Sequence, residues 1–273
     1  MALPPPFDLP AYLARIGFAG EPRRDFATLR ALHEAHATHI PFENLDIQLG
    51  RGIRLDLASL QAKLVRDRRG GYCFEQNALF AAALEEIGFP VTRLSARVRL
   101  GIPATLPRTH MLLTVEADGG SWLCDVGFGA WGLLQPIALA ANVETKQDAW
   151  TYRLRREDEA TWVLQCLECP VGPDLYAFDL TRHLPVDYEP ANFYTSTHPE
   201  SRFVLSLTAQ RLGRGVRQVL RNRELVTIHA DGTHAELIAT HEQLLDVLAV
   251  RFGIQLPAGT RFPKFESGSG GTL

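Results

Sequence analysis

Residues 110–127 read HMLLTVEADGGSWLCDVG, and Asp118-Gly119 at their centre decides how the middle of the chain folds. An Asp-Gly pair between two apolar segments is a strong short-range hairpin signal. If it is a two-residue turn, Ala117 faces Gly120, Glu116 faces Ser121, Leu112 faces Asp125 and His110 faces Gly127. His110 and Asp125 then lie on the same face as diagonal neighbours, within reach of an imidazole–carboxylate hydrogen bond. A slip of one residue would put them on opposite faces. An exposed His beside a surface Asp is the alternative, but Asp125 stands between Cys124 and Val126 in an apolar segment, and a buried carboxylate needs a partner.

Outward from this hairpin, the chain reads as three units. On the C-terminal side, strands are expected near Trp150 to Arg155 and Trp162 to Glu168. On the N-terminal side, residues 92–100 alternate apolar and polar, so the middle third is a mostly antiparallel β unit. The first third is helical. Asp8 caps a helix stopped by Gly17, Asp25 caps a second along Phe26, Leu29 and Leu32, and Asp56 caps a third ended by Gly70-Gly71. A fourth begins at Cys73 and runs to Ile87, closed by Gly88 and Pro90. In the last third, Phe203 to Thr208, Gln218 to Leu220 and Leu225 to His229 read as strands. Thr240 with Gln243 forms a capping box for a helix reaching Phe252. The domains are accordingly placed at 1–88, 89–199 and 200–273, with a low-complexity, mobile tail from Glu266.

Composition excludes several function classes. The 273 residues are 46% hydrophobic and 22% charged, the ordinary globular balance, and 28 basic against 31 acidic residues give a net charge of −3. Without clustered Lys and Arg, nucleic acid and anionic membranes are not expected partners. The longest apolar run, Ala78 to Leu84, is far short of the ~20 residues that span a bilayer. Met1-Ala2-Leu3-Pro4-Pro5-Pro6 has no basic n-region leading into an apolar segment, so no secretory signal is expected. Four cysteines do not make a disulfide scaffold, and a cytoplasmic location is expected.

Cys73 follows Arg69-Gly70-Gly71-Tyr72 and opens a helix. Unpaired backbone N–H groups and the positive end of the helix dipole converge there, which favours a thiolate. The two glycines allow a sharp turn and a close approach to the backbone. A buried, inert cysteine is the competing reading. A nucleophilic cysteine needs a base, and the hairpin offers His110 oriented by Asp125.

These residues resemble the arylamine N-acetyltransferases. Arg69-Gly70-Gly71-Tyr72-Cys73-Phe74-Glu75-Gln76-Asn77 is similar to that family's active-site signature, and Ile40-Pro41-Phe42-Glu43-Asn44-Leu45-Asp46 to its upstream motif. Thr109-His110-Met111 and Asp125-Val126-Gly127-Phe128-Gly129 resemble its histidine and aspartate motifs. Asp187-Tyr188-Glu189 and Ser196-Thr197-His198-Pro199 resemble a later segment. The resemblance implies an α+β fold: an N-terminal helical bundle, a central antiparallel β-barrel and a C-terminal α/β lid around a cysteine-protease-like core. It implies a Cys73, His110, Asp125 triad, acetyl-CoA as donor with no metal, and arylamine or arylhydrazine acceptors. Ping-pong transfer through an acetyl-cysteine follows, with N-hydroxyarylamine oxygen as a further acceptor. Thr109, Gly127 and Gly129 lie, by this resemblance, where the pantetheine and pyrophosphate of coenzyme A approach. Phe42, Tyr72 and Phe128 are candidates for an apolar slot that stacks the acceptor, with core packing as their alternative. A monomer or homodimer is expected.

Other signals carry less. Gly127 to Gly132 satisfies Gly-x-Gly-x-x-Gly, but Pro136 would interrupt the helix a dinucleotide fold needs. Cys166 and Cys169 form a lone Cys-x-x-Cys, read as packing rather than a zinc site. His33, His36 and His39 are expected along a solvated helix edge, and Arg69 in a structural ion pair with Glu43 or Glu75. The same triad would also serve a cysteine hydrolase, a transglutaminase-like acyltransferase or a biosynthetic amide synthase, and a noncatalytic coenzyme A-binding module is the rival from another class.

Overall fold

The computed structural model describes residues 6–101 and 105–266; the expected tail from Ser267 onward and the run 1–5 lie outside the described residues. The helical unit holds α1 (Leu9–Ile16), α2 (Phe26–His39), a two-residue strand β1 (Phe42–Glu43), the short helices α3 (Leu45–Gln48) and α4 (Leu57–Leu60), and α5 (Cys73–Ile87). Asp8, Asp25 and Asp56 each accept a first-turn N–H, and Gly17 and Gly88 end α1 and α5 in the left-handed region. The helix expected to run on to Gly70-Gly71 ends earlier. Past α4 it widens into a π-helical segment, Gln61–Arg66, and stops at Asp67, with Arg68 at φ 53°. The two glycines serve the loop beyond it instead.

The central sheet has eight strands: β2 (Val91–Val98), β3 (His110–Ala117), β4 (Gly120–Cys124), β5 (Ile137–Ala138), β6 (Glu144–Gln147), β7 (Trp150–Arg156), β8 (Trp162–Cys166) and β9 (Asp174–Phe178). They run in the order β5-β4-β3-β2-β9-β8-β7-β6, and every pairing is antiparallel. Gln147 on the last edge strand brings the sheet nearly to closure. Its carboxamide oxygen accepts from Leu134 and Gln135 N–H, and its nitrogen donates to the Gln135 carbonyl, beside β5. Asp118 and Gly119 both adopt positive φ, and the register pairs Ala117 with Gly120 and Glu116 with Ser121, as the turn requires.

The central unit ends with α6 (Glu189–Thr197), and the lid contributes α7 (Arg202–Leu205), β10 (Thr208–Gly213), β11 (Val216–Arg221), β12 (Glu224–His229), β13 (Gly232–Leu237), α8 (His241–Phe252) and α9 (Pro263–Glu266). Its sheet runs β1-β10-β11-β12-β13, so the helical unit supplies one edge strand. Residues 203–205, expected as strand, are instead helical. Ser201 caps α7, while Asn44 and Gln48 donate to the Phe203 and Ser206 carbonyls, a tertiary demand that overrides the strand propensity of Phe-Val-Leu.

Strand β3 is buried on both faces and joins two cores. Met111, Leu113 and Val115 pack with the helices, whereas Leu112 packs inside the barrel with Leu94, Leu123 and Tyr176. His110 shares the barrel-side parity of Leu112, which places it where α5 meets the barrel. No helix among the described residues is long and apolar enough to cross a membrane.

Candidate active site

The loop before Cys73 is built from two strands of contact. Glu43 N–H donates to the Gly71 carbonyl at 3.0 Å, and Gly71 N–H to the Pro41 carbonyl at 3.3 Å. A Cβ on Gly70 would collide with the Pro41 carbonyl oxygen and the Glu43 side chain, so only glycine lets the segments run this close. Tyr72 N–H donates to the Glu75 carboxylate at 3.1 Å, capping α5 exactly one residue before the sulfur. Charge fixes the loop from beneath. Arg69 forks onto Glu43 at 2.7 and 3.0 Å and reaches Asp46 at 3.3 Å, while Lys63 joins Asp46 at 2.9 Å and Glu75 at 2.7 Å. Arg69 thus pairs with Glu43, and Glu75 takes Lys63. Burial pushes the Glu75 carboxyl above its usual range, against the pull of Lys63.

Cys73 is nearly buried and its Sγ lies 3.6 Å from the Thr109 carbonyl. His110, the next residue, turns Nε2 to Asp125 Oδ2 at 2.7 Å. Burial pulls the imidazole toward its neutral form, but the Asp125 charge and hydrogen bond, with a further contribution from Cys73, outweigh it and raise the imidazolium to about 10. Burial likewise opposes the Asp125 carboxylate, yet His110, Asn77 and the Gly127 N–H hold it below its ordinary value. Its Oδ1 accepts from Asn77 Nδ2 and from Gly127 N–H, both at 2.9 Å. The Cys73 thiol on the Thr109 carbonyl thus stands next to the bonded His110–Asp125 pair, the three side chains brought together from α5, β3 and the residue just past β4.

Gly127 lies directly against the nucleophile's helix: a Cβ there would sit 2.8 Å from Cys73 Cα and 2.7 Å from Asn77 Nδ2. Gly129 adopts φ 83° and faces Gln210 of β10, whose Oε1 accepts from Ala130 N–H at 2.8 Å. Phe128, half-buried, stands edge-on to His110 with ring centroids 5.1 Å apart, and Tyr176 lies 4.8 Å from the same imidazole. Phe42 and Tyr72 are buried, and both pack on Phe203, at 5.8 and 5.6 Å. The Tyr72 hydroxyl donates to Asn192 Oδ1 of α6.

Several contributors escape a linear reading. Asn77 ties Asp125 to the Met111 carbonyl, and Gln76 donates to the Pro41 and Gly71 carbonyls. The expectation of a solvated edge for His33 and His36 is overturned: both are fully buried. His36 binds the Tyr12 hydroxyl and Gln76, and His33 binds the backbone at Asp125 and Leu134. They continue the stripe of Leu29 and Leu32 at helical spacing, a signal that was there to read. Cys166 ends β8 and Cys169 falls in the following turn; both are buried free thiols. No cluster of metal-binding side chains occurs among the described residues.

The sequence pattern of the N-acetyltransferase family matches residues 25–261. The chain is 41% identical to the arylamine N-acetyltransferase of Mycolicibacterium smegmatis, over 91% of this chain and 92% of that one. Its structure is similar to an M. smegmatis arylamine N-acetyltransferase structure, with a TM-score of 0.89, 39% identity, and 95% and 97% of the two chains covered. It is also similar to Mycobacterium marinum arylamine N-acetyltransferase solved in complex with CoA, with a TM-score of 0.88, 34% identity and the same coverage. Fold and site together define an acyltransferase on a cysteine-protease-like core. More narrowly, the chain belongs to the arylamine N-acetyltransferase family.

Proposed function

We propose that this chain transfers an acetyl group from acetyl-CoA to the nitrogen of arylamines and arylhydrazines, through an acetyl-cysteine on Cys73. The observation that carries the proposal is Cys73 at the start of α5 beside a His110 imidazole bonded to Asp125 at 2.7 Å. A relative from Salmonella typhimurium, 46% identical over 176 residues, is named both for arylamine N-acetylation and for N-hydroxyarylamine O-acetylation, which supports the oxygen acceptor as well.

In this scheme, the Cys73 thiolate attacks the thioester carbonyl, with N–H groups of the first turn of α5 facing the developing oxyanion. The bond to the coenzyme A sulfur breaks, and His110 returns a proton to that leaving thiolate. Exchange between two thioesters is nearly balanced, which suits a cysteine to this donor. The amine then attacks the acetyl-cysteine carbonyl, His110 takes up the N–H proton, and the Cys73 thiolate is restored as the amide leaves. Asp125 holds the imidazole in place and stabilises its protonated form. Thr109, Gly127 and Gly129 are assigned to the approach of coenzyme A, the two glycines letting their loop pack directly against α5 and Gln210. Phe128 beside His110 is assigned to the acceptor ring, with Phe42 and Tyr72 as further wall residues of the same slot.

Initial-rate kinetics test the scheme. Varying acetyl-CoA at several fixed aniline concentrations should give parallel double-reciprocal lines and acetanilide as product. Intersecting lines would contradict the two-stage scheme, and peptide cleavage without acetyl transfer would place the chain with the cysteine hydrolases instead.

A further inference from the structure

His33 is a fully buried side chain that the proposed chemistry does not use, yet both its ring nitrogens are committed to the site. Its Nε2 accepts the backbone N–H of Asp125 at 3.0 Å, and Nδ1 lies 3.1 Å from the Leu134 carbonyl. An N–H donor demands a bare ring nitrogen, so the proton sits on Nδ1 and is donated to Leu134. These two bonds fall on the two ends of a single loop, 125–134, which leaves β4, carries Gly127, Phe128 and Gly129, and returns toward β5. The neighbouring Glu34 extends the grip, accepting from Gln135 Nε2 at 2.7 Å.

We propose that His33 is a positioning residue for acetyl transfer: helix α2 uses one neutral imidazole to pin both ends of the loop that presents Asp125 to His110. The proposal rests on the triad reading given above. Asp125 lies beyond the last ladder pairs of β4, Leu113–Cys124 on one side and Leu123–Ile137 on the other, so no strand partner accepts its N–H. Without the His33 acceptor, that N–H is buried and unpaired, and the backbone at Asp125 shifts to relieve it, carrying the carboxylate away from His110. The charged and titratable groups around His33 are Asp125 on the loop and Glu34 and His36 on its own helix, with His110 on β3 beyond Asp125.

Three substitutions separate the two bonds. His33→Gln places an amide oxygen where Nε2 stood and keeps the acceptor for Asp125. His33→Asn places an amide nitrogen where Nδ1 stood and keeps only the donor to Leu134, and His33→Leu keeps neither. Iodoacetamide labelling of Cys73, followed by mass spectrometry across pH 5–10, reads whether the His110–Asp125 pair still supports the thiolate. Acetyl transfer from acetyl-CoA to aniline reads turnover, and circular dichroism confirms the fold. The Asn and Leu variants should lose about tenfold or more in turnover and move the labelling profile upward by about one pH unit, while Gln restores both to near wild type. If the Leu variant does not fold, the Gln and Asn pair decides. Unchanged labelling and turnover in folded Asn variant would overturn the proposal, as would equal losses in Gln and Asn. Failure of the triad reading itself looks different: wild-type Cys73 would then take up no acetyl group from acetyl-CoA.

Discussion

Acidification from pH 6.5 to 5 should cost this protein a large part of its stability, because two histidines are buried in neutral form. Burial, the dominant effect, pushes His33 down to about 4 and His36 to about 3. In the unfolded chain both take up a proton near 6.5, whereas in the folded chain neither does so until well below 5. The unfolded state therefore binds about one more proton at pH 6.5 and approaches two more near pH 5, and stability falls as pH falls. Each histidine's slope rises from about 0.7 kcal/mol per pH unit at 6.5, where the unfolded ring is half protonated, toward about 1.4 near pH 5, so the pair removes about 3 kcal/mol between pH 6.5 and 5. Against a typical total of about 5–15 kcal/mol, that is a large fraction. His110 adds little to this slope, since it is protonated in the folded state throughout and the unfolded ring completes its protonation just below 6.5; its stabilisation is lost instead as pH rises from 6.5 toward 10. Equilibrium urea unfolding at pH 7.5, 6.5 and 5.0 measures the effect on wild type and on His36→Gln. Wild type should fall by about 3 kcal/mol over the acid interval and the variant by about half as much. A wild-type fall below about 1 kcal/mol, or an equal slope in both proteins, would refute the assignment of buried neutral rings.

Three further outcomes follow from the site. Arg69→Leu strips the counterion from Glu43, which is fully buried, and should destabilise by about 3 kcal/mol or more in chemical unfolding. Gly127→Ala forces a methyl to within 2.8 Å of Cys73 Cα; acetylation of Cys73 should slow at least about tenfold, and a rate within twofold of wild type would show that the loop has room to shift. Asp125→Asn removes the charge that, with its hydrogen bond and the Cys73 contribution, outweighs burial at His110, so the imidazole falls back toward its neutral form and turnover should drop by about 10³-fold or more, while the stability loss between pH 6.5 and 10 disappears.

Local chemistry made much of this molecule legible. Asp118-Gly119 set the β3–β4 register, and that register carried His110 and Asp125 to the same place because side chains alternate with a fixed period. Helix α5 was readable at both ends, from the glycines before Cys73 to Gly88 after Ile87. What escaped was set by distant partners. Strand β1 is two residues long and exists only because β10 pairs with it. Residues 203–205, Phe-Val-Leu, have the composition of a strand but are wound into a helical turn by Asn44 and Gln48. His33 and His36 share a stripe with leucines, and their burial depends on acceptors and donors from Asp125, Leu134, Tyr12 and Gln76 that no single segment reveals.

The central claim, that Cys73 carries the acetyl group between donor and acceptor, is tested most directly by intact-protein mass. Wild type and Cys73→Ala are incubated briefly with acetyl-CoA alone, and aniline is then added. Wild type should gain a single acetyl group and lose it to the amine as acetanilide, while the variant gains none. A wild-type protein that stays unmodified while acetyl-CoA is consumed with aniline, or an acetyl group that also appears on Cys73→Ala, would contradict the account.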